Sequence, residues 1–215
     1  MLEIKGLLKK YDDRVLFRDF NLEIGDGEFV VILGESGAGK TTLLNMIGGL
    51  EEVTGGEIII NGKLVTGKRN DREFYGKTVG FLFQSFGLLE EETVYRNLTM
   101  VPTRNRSKIS IEEAMERTGI SVLRNQKVFR LSGGEQQRVA LCRLIIKQCD
   151  LILADEPTGN LDPENARKVM EILREIRADG KTVIVVTHDA RLVREGDRVI
   201  TVARREGSSG PENET

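Results

Sequence analysis

A glycine-rich stretch decides the fold of this chain: Gly34-Glu35-Ser36-Gly37-Ala38-Gly39-Lys40-Thr41. It matches the pattern G-x-x-x-x-G-K-[ST], in which glycines allow consecutive backbone N–H groups to turn inward around an anion. The apolar run 29–33 precedes the stretch and a helical pattern follows it over 40–47. A helix in that position points the positive end of its dipole at the same anion.

Two interpretations fit this stretch. It could be a glycine-rich turn without a ligand, but the pattern arises by chance in only ~1% of chains of this length. Its place between a strand and a helix is also the one that phosphate binding requires. The stretch therefore predicts a loop that binds the phosphates of a nucleotide. Lys40 would reach the β- and γ-phosphates, and the Thr41 hydroxyl would be available to Mg²⁺.

The composition is typical of a soluble globular protein. Of 215 residues, 39% are hydrophobic and 31% are charged, and the formal net charge is -2. This balance excludes a basic nucleic-acid-binding protein by bulk charge, so we expect no nucleic-acid partner. No run approaches the ~18 apolar residues of a membrane-spanning helix. The N-terminus has no signal-peptide layout, and two cysteines make no disulfide framework, so we expect a cytoplasmic protein.

Four apolar runs predict buried parallel strands, because strands that are covered on both faces read as continuous hydrophobic stretches. The runs are Phe29 to Leu33, Val79 to Phe83, Leu151 to Ala154 and Thr182 to Thr187. Helical patterns separate them, at about 40–47, 135–147 and 162–180. The alternation of strands and helices predicts an α/β fold with a mostly parallel core sheet.

Other segments fall outside this alternation. Residues 1–28, together with turn signals around 56–65, predict an N-terminal antiparallel β subdomain. Residues from about 85 to 130 contain no convincing strand and predict a small helical subdomain. Residues 204–215 are polar and predict a disordered tail after a single domain that spans 1–203.

Each predicted strand leads into a residue capable of chemistry, at the place where ligands bind in open α/β sheets. The residues are Gly34, Gln84, the pair Asp155 and Glu156, and His188. Mg²⁺ beside a nucleotide would be a partner for the carboxylate of Asp155, and a helix cap or a salt bridge is the alternative. Glu156 could deprotonate an attacking water. His188 could contact the γ-phosphate, rather than serve as a satisfied core histidine or a surface residue.

A second helix begins with an unusual pair of glycines. Ser132 and Glu135 flank Gly133 and Gly134 in the pattern of a capping box. Two glycines in a first turn cost about 0.8–1.0 kcal/mol each relative to Ala, and a cap alone does not need them. Bare backbone permits the close approach of an anion, so this turn predicts a second phosphate-binding helix N-terminus.

These motifs, in this order and spacing up to about residue 203, resemble the nucleotide-binding subunit of an ATP-binding cassette (ABC) transporter. The resemblance implies a P-loop NTPase fold and an ATP hydrolase that uses ATP and Mg²⁺. It adds Thr42 and an adenine-stacking Tyr11 to the ATP contacts of the loop, although Tyr11 alone would be read as a strand surface residue. The implied catalytic residues are Glu156, His188 and Gln84. The implied metal ligands are Thr41, Gln84 and Asp155.

The resemblance also implies a head-to-tail dimer of two copies with an ATP between them. The signature turn, which would contact the ATP of the other copy, comprises Leu131, Ser132, Gly133, Gly134 and Glu135. The dimer loop, which would contact the other copy, comprises Gly159, Asn160, Leu161 and Asp162. A separate integral membrane permease is the second implied partner. It would dock near Gln84 and the helical subdomain and hold the chain at the inner face of the cell membrane.

Residues 83–86 and 154–162 resemble one branch more narrowly, that of lipoprotein-releasing, macrolide-efflux, antimicrobial-peptide and cell-division ABC subunits. Within the branch, the chain is similar to the ATPases of bacteriocin exporters of the lactococcin 972 type. The branch favours a subunit that drives the export of a peptide, a lipoprotein or a drug. The alternative is the ATPase of a mechanotransmission complex that regulates a cell-wall enzyme. A soluble ATPase of DNA repair or translation ranks last, because the chain carries neither a coiled-coil insertion nor a second cassette.

Overall fold

The structure is a computed structural model that describes residues 1–65, 72–159, 161–194 and 198–203. The predicted tail, 204–215, lies outside the described residues. The described strands are β1 (Leu2–Tyr11), β2 (Arg14–Ile24), β3 (Phe29–Leu33), β4 (Gly55–Ile60), β5 (Lys63–Leu64), β6 (Val79–Leu82), β7 (Leu151–Asp155), β8 (Thr182–Thr187) and β9 (Arg198–Thr201). The described α-helices are α1 (Lys40–Ile47), α2 (Val94–Thr99), α3 (Ile111–Arg117), α4 (Gly133–Ile146) and α5 (Pro163–Ala178).

A parallel sheet lies at the centre, with the described strands in the order β6-β7-β8-β3-β9. Every pair of neighbouring strands in it is parallel. The four predicted strands are present, with ends that differ by at most one residue from the prediction. The sequence did not predict β9, which is short and largely exposed and therefore has no apolar run. It adds to the sheet by pairing with β3 from Val30↔Arg198 to Leu33↔Thr201.

Both faces of the parallel sheet are covered, which explains the continuous apolar runs. In β3, Phe29 and Val31 pack into a core that includes α4 and α5, whereas Val30 and Ile32 pack into a second core with α1 and the antiparallel strands. Alternate side chains of a strand point to opposite faces, so every position of such a strand must be apolar. The sheet thus separates two hydrophobic cores.

The N-terminal sheet is antiparallel, as predicted, with the strand order β2-β1-β4-β5. The turn between β4 and β5 is made by Asn61 and Gly62, at φ 51° and 72°. Positive φ at both central residues is the geometry of the hairpin turn that Asn-Gly favours.

The segment from about 85 to 130 carries helices and no strand among the residues that the structure describes there. Thr93 caps α2 by accepting a hydrogen bond from the backbone N–H of Arg96 (3.1 Å), and Ser110 caps α3 by accepting one from Glu113 (3.1 Å). Short 3₁₀ turns join these helices at Thr103–Asn105, Ser121–Leu123 and Val128–Arg130. A further 3₁₀ turn follows β8 at Ala190–Leu192, and a π-helical turn, Phe74–Thr78, precedes β6.

Helix ends follow the local signals of the sequence. The helix α4 begins at Gly133, slightly before its predicted start, because Ser132 and Glu135 form the capping box on either side of its first turn. Asp162 caps α5 through both backbone N–H groups of Glu164 and Asn165 (3.1 and 3.0 Å). Within the described residues, no helix is long and apolar enough to cross a membrane.

Candidate nucleotide site

The parallel strands place their carboxyl ends along one edge of the sheet, where a cleft of about 850 Å³ opens. Its volume lies in the range of small-molecule sites, about 300–1,000 Å³. The residues that line the cleft come from the ends of several elements: Tyr11, Arg14, Leu16, Ser36, Gly37, Gly39, Lys40, Thr41, Thr42, Gln84, Glu156, Gly159 and His188. Residues that are far apart in the sequence thus share one cavity.

The glycine-rich loop between β3 and α1 curls around the Lys40 ammonium. Lys40 Nζ donates hydrogen bonds to the backbone oxygens of Gly34 (2.7 Å) and Glu35 (3.0 Å). Gly37 and Gly39 adopt φ 79° and 90°, which side chains with a Cβ atom rarely permit. The loop can therefore turn its N–H groups inward while the lysine reaches back across it.

Gly34 is required for a second reason that the sequence did not reveal. A Cβ atom at this position would collide with the backbone oxygen of Val202, which follows β9. Ala38 is buried, and its N–H donates to the backbone oxygen of Glu35 (3.2 Å). Gly34 and Ala38 shape the loop from behind and do not line the cleft. Glu35 is exposed and does not line the cleft either, although the sequence predicts it as an ATP contact.

Thr41 and Asp155 form an oxygen pair beside the loop. The Thr41 hydroxyl donates to Asp155 Oδ1 (3.0 Å). Burial raises the pKa of Asp155, and the hydrogen bond from Thr41 opposes this shift. Among the described residues, no cluster of three or more His, Cys, Asp or Glu side chains could hold a metal by itself. A cation here would need the Thr41 hydroxyl and further oxygen donors.

Glu156 is the most constrained residue of the cleft. Its backbone lies in the left-handed region at φ 43°, and its N–H donates to the Val186 oxygen at 3.0 Å. His188 Nδ1 lies 3.0 Å from both Glu156 carboxylate oxygens, and the Thr187 hydroxyl donates to Oε2 (3.2 Å). The Lys40 ammonium lies 3.8 Å from Oε1. Strained backbone held by surrounding contacts is concentrated at functional sites.

Tyr11 closes the cleft at the end of β1. The residue is 44% exposed, its hydroxyl donates to Glu51 (2.9 Å), and the Lys9 ammonium lies 4.5 Å from the ring centroid. It is thus a strand-end surface residue that also borders the cleft.

Two cleft residues were missed by sequence reasoning, Arg14 and Leu16. The Arg14 guanidinium donates to the Gly37 oxygen (3.0 Å), and a lone Arg on a strand carries no motif that could have signalled this contact.

The signature turn does not line the cleft. It forms the first turn of α4, where Ser132 N–H and Oγ both donate to Glu135 Oε2 (2.8 Å each). These two bonds lower the pKa of Glu135. Leu131 is buried below the turn, and a Cβ atom at Gly133 would meet nothing within 4 Å. A Cβ atom at Gly134 would lie 3.0 Å from Asn165 Cγ, so packing explains this glycine without an anion.

The dimer loop connects the cleft to α5. Gly159 lies at the rim of the cleft, and Leu161 and Asp162 lie outside it. Asn160, the remaining member of the predicted loop, lies outside the described residues. Exposed Gln84, at the end of β6, does line the cleft. The structure thus brings the loop, Gln84, Glu156 and His188 together and leaves the signature turn apart.

Comparisons with known proteins agree with this geometry. A sequence model of the ABC transporter family matches residues 17–159, more than half of the chain. The phosphonates import ATP-binding protein PhnC of Lactobacillus johnsonii is 39% identical, over 94% of this chain and 86% of that protein. The lipoprotein-releasing system ATP-binding protein LolD 1 of Rhodopseudomonas palustris is 38% identical, over 94% and 96%.

A solved structure also shares the fold of this chain. The dimeric post-hydrolysis state of the ATP-binding cassette MJ0796, bound to ADP and Pi, superposes with a TM-score of 0.79 at 34% identity. The match covers 98% of this chain and 100% of that one. The predicted architecture is therefore confirmed, with an antiparallel N-terminal sheet beside a parallel core. The cleft, the fold and these relatives together show that the chain belongs to the ABC transporter family and is an ABC-type ATPase.

Proposed function

We propose that this chain is the ATP-hydrolysing subunit of an ABC exporter, working as a head-to-tail dimer that drives a separate membrane permease. One observation carries the proposal. A single cleft unites a phosphate-binding loop with Gln84, Glu156 and His188, while the signature turn lies outside it. A second copy is the natural source of the missing contacts, because its own signature turn is available in the same way.

The loop binds the nucleotide, and other residues of the cleft carry out hydrolysis. The loop N–H groups and Lys40 bind the phosphates, and the Tyr11 ring stacks on adenine, an interaction worth ~1–3 kcal/mol for a base on an aromatic side chain. Glu156 takes the proton from the attacking water. His188 fixes the Glu156 carboxylate through the contacts at 3.0 Å and reaches toward the γ-phosphate, and Gln84 orients the water.

The oxygen donors beside the loop fit Mg²⁺, which prefers hydroxyl, carboxylate and carbonyl ligands. Thr41 and Asp155 already lie 3.0 Å apart, oxygen to oxygen, and Gln84 borders the same cleft. These three residues would hold the ion. When bound, Mg²⁺ neutralises negative charge on the β- and γ-phosphates. A cation beside Asp155 would also offset the burial that raises the pKa of this carboxyl.

The dimer rests on the form of the signature turn. Gly133 is exposed and has open space where a Cβ atom would lie, so backbone N–H groups at this helix N-terminus can be approached closely. The ATP of the second copy would occupy this position, with Ser132 released from Glu135 to meet the γ-phosphate. Gly159 at the rim of the cleft would bring the dimer loop against the other copy.

The permease would dock beside Gln84. Phe83, which adjoins Gln84 in the sequence, is 37% exposed, and Leu89, a few residues further on, is 48% exposed; exposed apolar side chains suit a protein partner. The membrane subunit would keep the chain at the cytoplasmic face of the membrane. The proposal of export follows from residues 83–86 and 154–162 and agrees with the lipoprotein-releasing relative, although the phosphonate relative is named for import.

Dimer formation tests the core of this proposal. The E156Q protein should be monomeric without nucleotide and dimeric with ATP in analytical ultracentrifugation, because bound ATP is not hydrolysed. Bulky residues at Ser132 and Gly134, as in an S132R/G134R variant, should keep the E156Q protein monomeric. In the protein that retains Glu156, the same two substitutions should abolish turnover with the permease present. An E156Q protein that stays monomeric at saturating ATP would refute the shared site. Inverted vesicles that carry the permease should accumulate substrate if the system exports, and accumulation in right-side-out vesicles would refute export.

A further inference from the structure

Asn165 lies between the signature turn and the dimer loop, two parts of the site that the cleft does not join. It is half-buried near the start of α5, behind the cap residue Asp162. Sequence reasoning gave it no role. Its side chain nevertheless contacts both neighbouring parts of the molecule.

Toward the dimer loop, Asn165 binds the carboxylate that ends the loop. Its side-chain Nδ2 donates to Asp162 Oδ2 (2.6 Å), and its backbone N–H donates to Asp162 Oδ1 (3.0 Å). Both bonds favour the ionised form and lower the pKa of Asp162. Asp162 is thus held through both carboxylate oxygens by one residue of α5.

Toward α4, Asn165 accepts a hydrogen bond and fills a gap. Arg138 Nη1 donates to Asn165 Oδ1 (2.9 Å). The Asn165 side chain also lies over Gly134, where an added Cβ atom would approach Cγ, Oδ1 and Nδ2 to 3.0, 3.2 and 3.3 Å. Gly134 belongs to the signature turn, so Asn165 packs directly on the backbone that would meet the other copy's ATP.

The chemistry of an amide suits this place. Asp162 needs a donor and Arg138 needs an acceptor, and a carboxamide offers both on one planar group. A carboxylate would accept from Arg138 but would repel Asp162, and an apolar side chain would serve neither. A hydrogen bond that involves a charged group contributes more than a neutral one, and both bonds here do.

The contacts also continue to the catalytic glutamate. Gly159 N–H donates to the backbone oxygen of Glu156 (3.2 Å), and Leu161 N–H, next to Asp162, donates to the backbone oxygen of Thr158 (3.1 Å). Asn165 then joins Asp162 to α4. Glu156 serves the chain's own nucleotide, whereas the signature turn serves the nucleotide of the other copy.

We propose that Asn165 is a positioning residue that holds the signature turn in register with the dimer loop, so that each copy presents both to its partner in one fixed geometry. The inference rests on the proposed ATP-bound dimer. It predicts that Asn165 contributes to dimer formation and to turnover but not to ATP binding by a single copy.

The experiment compares N165A with K168A in the full-length E156Q protein. Lys168 is exposed on the same helix and pairs only with Glu164 (2.7 Å) among the contacts that the structure describes for it, so K168A is a matched control. Sedimentation should show that N165A weakens ATP-driven dimerisation by about ten-fold, the loss expected for charge-assisted hydrogen bonds. N165D, which cannot donate to Asp162 when ionised, should weaken it similarly, and K168A should leave it unchanged. A fluorescent ATP analogue should bind with the same affinity to dilute monomers of all four proteins, which are E156Q itself and its N165A, N165D and K168A derivatives.

A double-mutant cycle with G134A tests the contact itself. The Cβ atom of G134A must displace Asn165, so G134A should weaken the dimer strongly alone and much less in the N165A background. If the E156Q protein dimerises with ATP and its N165A derivative dimerises equally well, the role of Asn165 is refuted and the proposed dimer stands. If E156Q never dimerises, the proposed function itself fails. Additive effects of G134A and N165A, or an equal loss of monomer ATP binding in N165A, would also overturn the positioning role.

Discussion

Replacing Glu156 with Gln should remove ATP hydrolysis and leave the cleft folded. The carboxylate oxygens accept from Thr187 (3.2 Å) and lie 3.0 Å from His188 Nδ1. A glutamine of the same length keeps an acceptor for His188, and its amide can donate to the Thr187 hydroxyl oxygen. The local hydrogen bonds therefore survive, and only the proton acceptor is lost.

The expected size of the effect follows from general-base catalysis, which contributes about 10²–10⁴-fold to a rate. That factor corresponds to about 3–5 kcal/mol of transition-state stabilisation. ATP binding should change in the opposite direction. Lys40, which is 7% exposed, keeps its bonds to two loop oxygens but loses a carboxylate at 3.8 Å that competes with the triphosphate. ATP should therefore bind at least as tightly to E156Q as to the unmodified protein.

Phosphate release at saturating ATP measures the first effect, and titration with a fluorescent ATP analogue measures the second. The matched control is E171Q, since Glu171 is a half-buried glutamate on α5 that pairs with Arg194 (3.2 Å) outside the cleft. E171Q should hydrolyse ATP at the unmodified rate. Hydrolysis by E156Q at that rate would remove Glu156 from the role of base. Loss of ATP binding in E156Q would show instead that the carboxylate builds the nucleotide site.

Three further predictions concern stability and reactivity. Burial raises the pKa of Asp155, so stability falls as the pH rises from the carboxyl's unfolded-state pKa to this raised pKa, and it stays lower above it. D155N should therefore raise the melting temperature at pH 8, with a difference that shrinks as the pH falls, and an unchanged melting temperature would contradict this. A Cβ atom at Gly48 would overlap the Phe81 ring, so G48A should lower the free energy of unfolding by about 1–3 kcal/mol in urea titrations, whereas an unchanged midpoint would show that the ring moves freely. Burial raises the pKa of Cys142 to about 12, which leaves about 10⁻⁴ of this thiol ionised at pH 8, and Cys149 is buried as well. A thiol reagent should therefore label both cysteines only as fast as the protein unfolds. Fast labelling of the native protein would refute their burial.

Much of the fold was predictable because its signals are local. The apolar runs gave the central strands, since each is covered on both faces. The Ser132 and Glu135 pair gave the start of α4, and Asn61-Gly62 gave a hairpin turn, because these residue types satisfy particular backbone groups or torsion angles. The carboxyl ends of parallel strands must share one edge, so the gathering of Gln84 and Glu156 could also be inferred. Each of these inferences needs only a few neighbouring residues.

Long-range packing decided the rest. The strand β9 carries no apolar run, and it forms because β3 offers an edge with which to pair. The sequence motif explains Gly34 by a bound anion, but the close approach of the Val202 backbone oxygen also requires a glycine there. Arg138 and Asn165 are 27 positions apart and meet only because α4 packs on α5. The sequence by itself thus determined which backbone segments become strands, helices and a phosphate-binding loop, since propensity and capping act over a few residues. Tertiary structure alone decided which distant side chains touch, because that depends on how the finished elements pack.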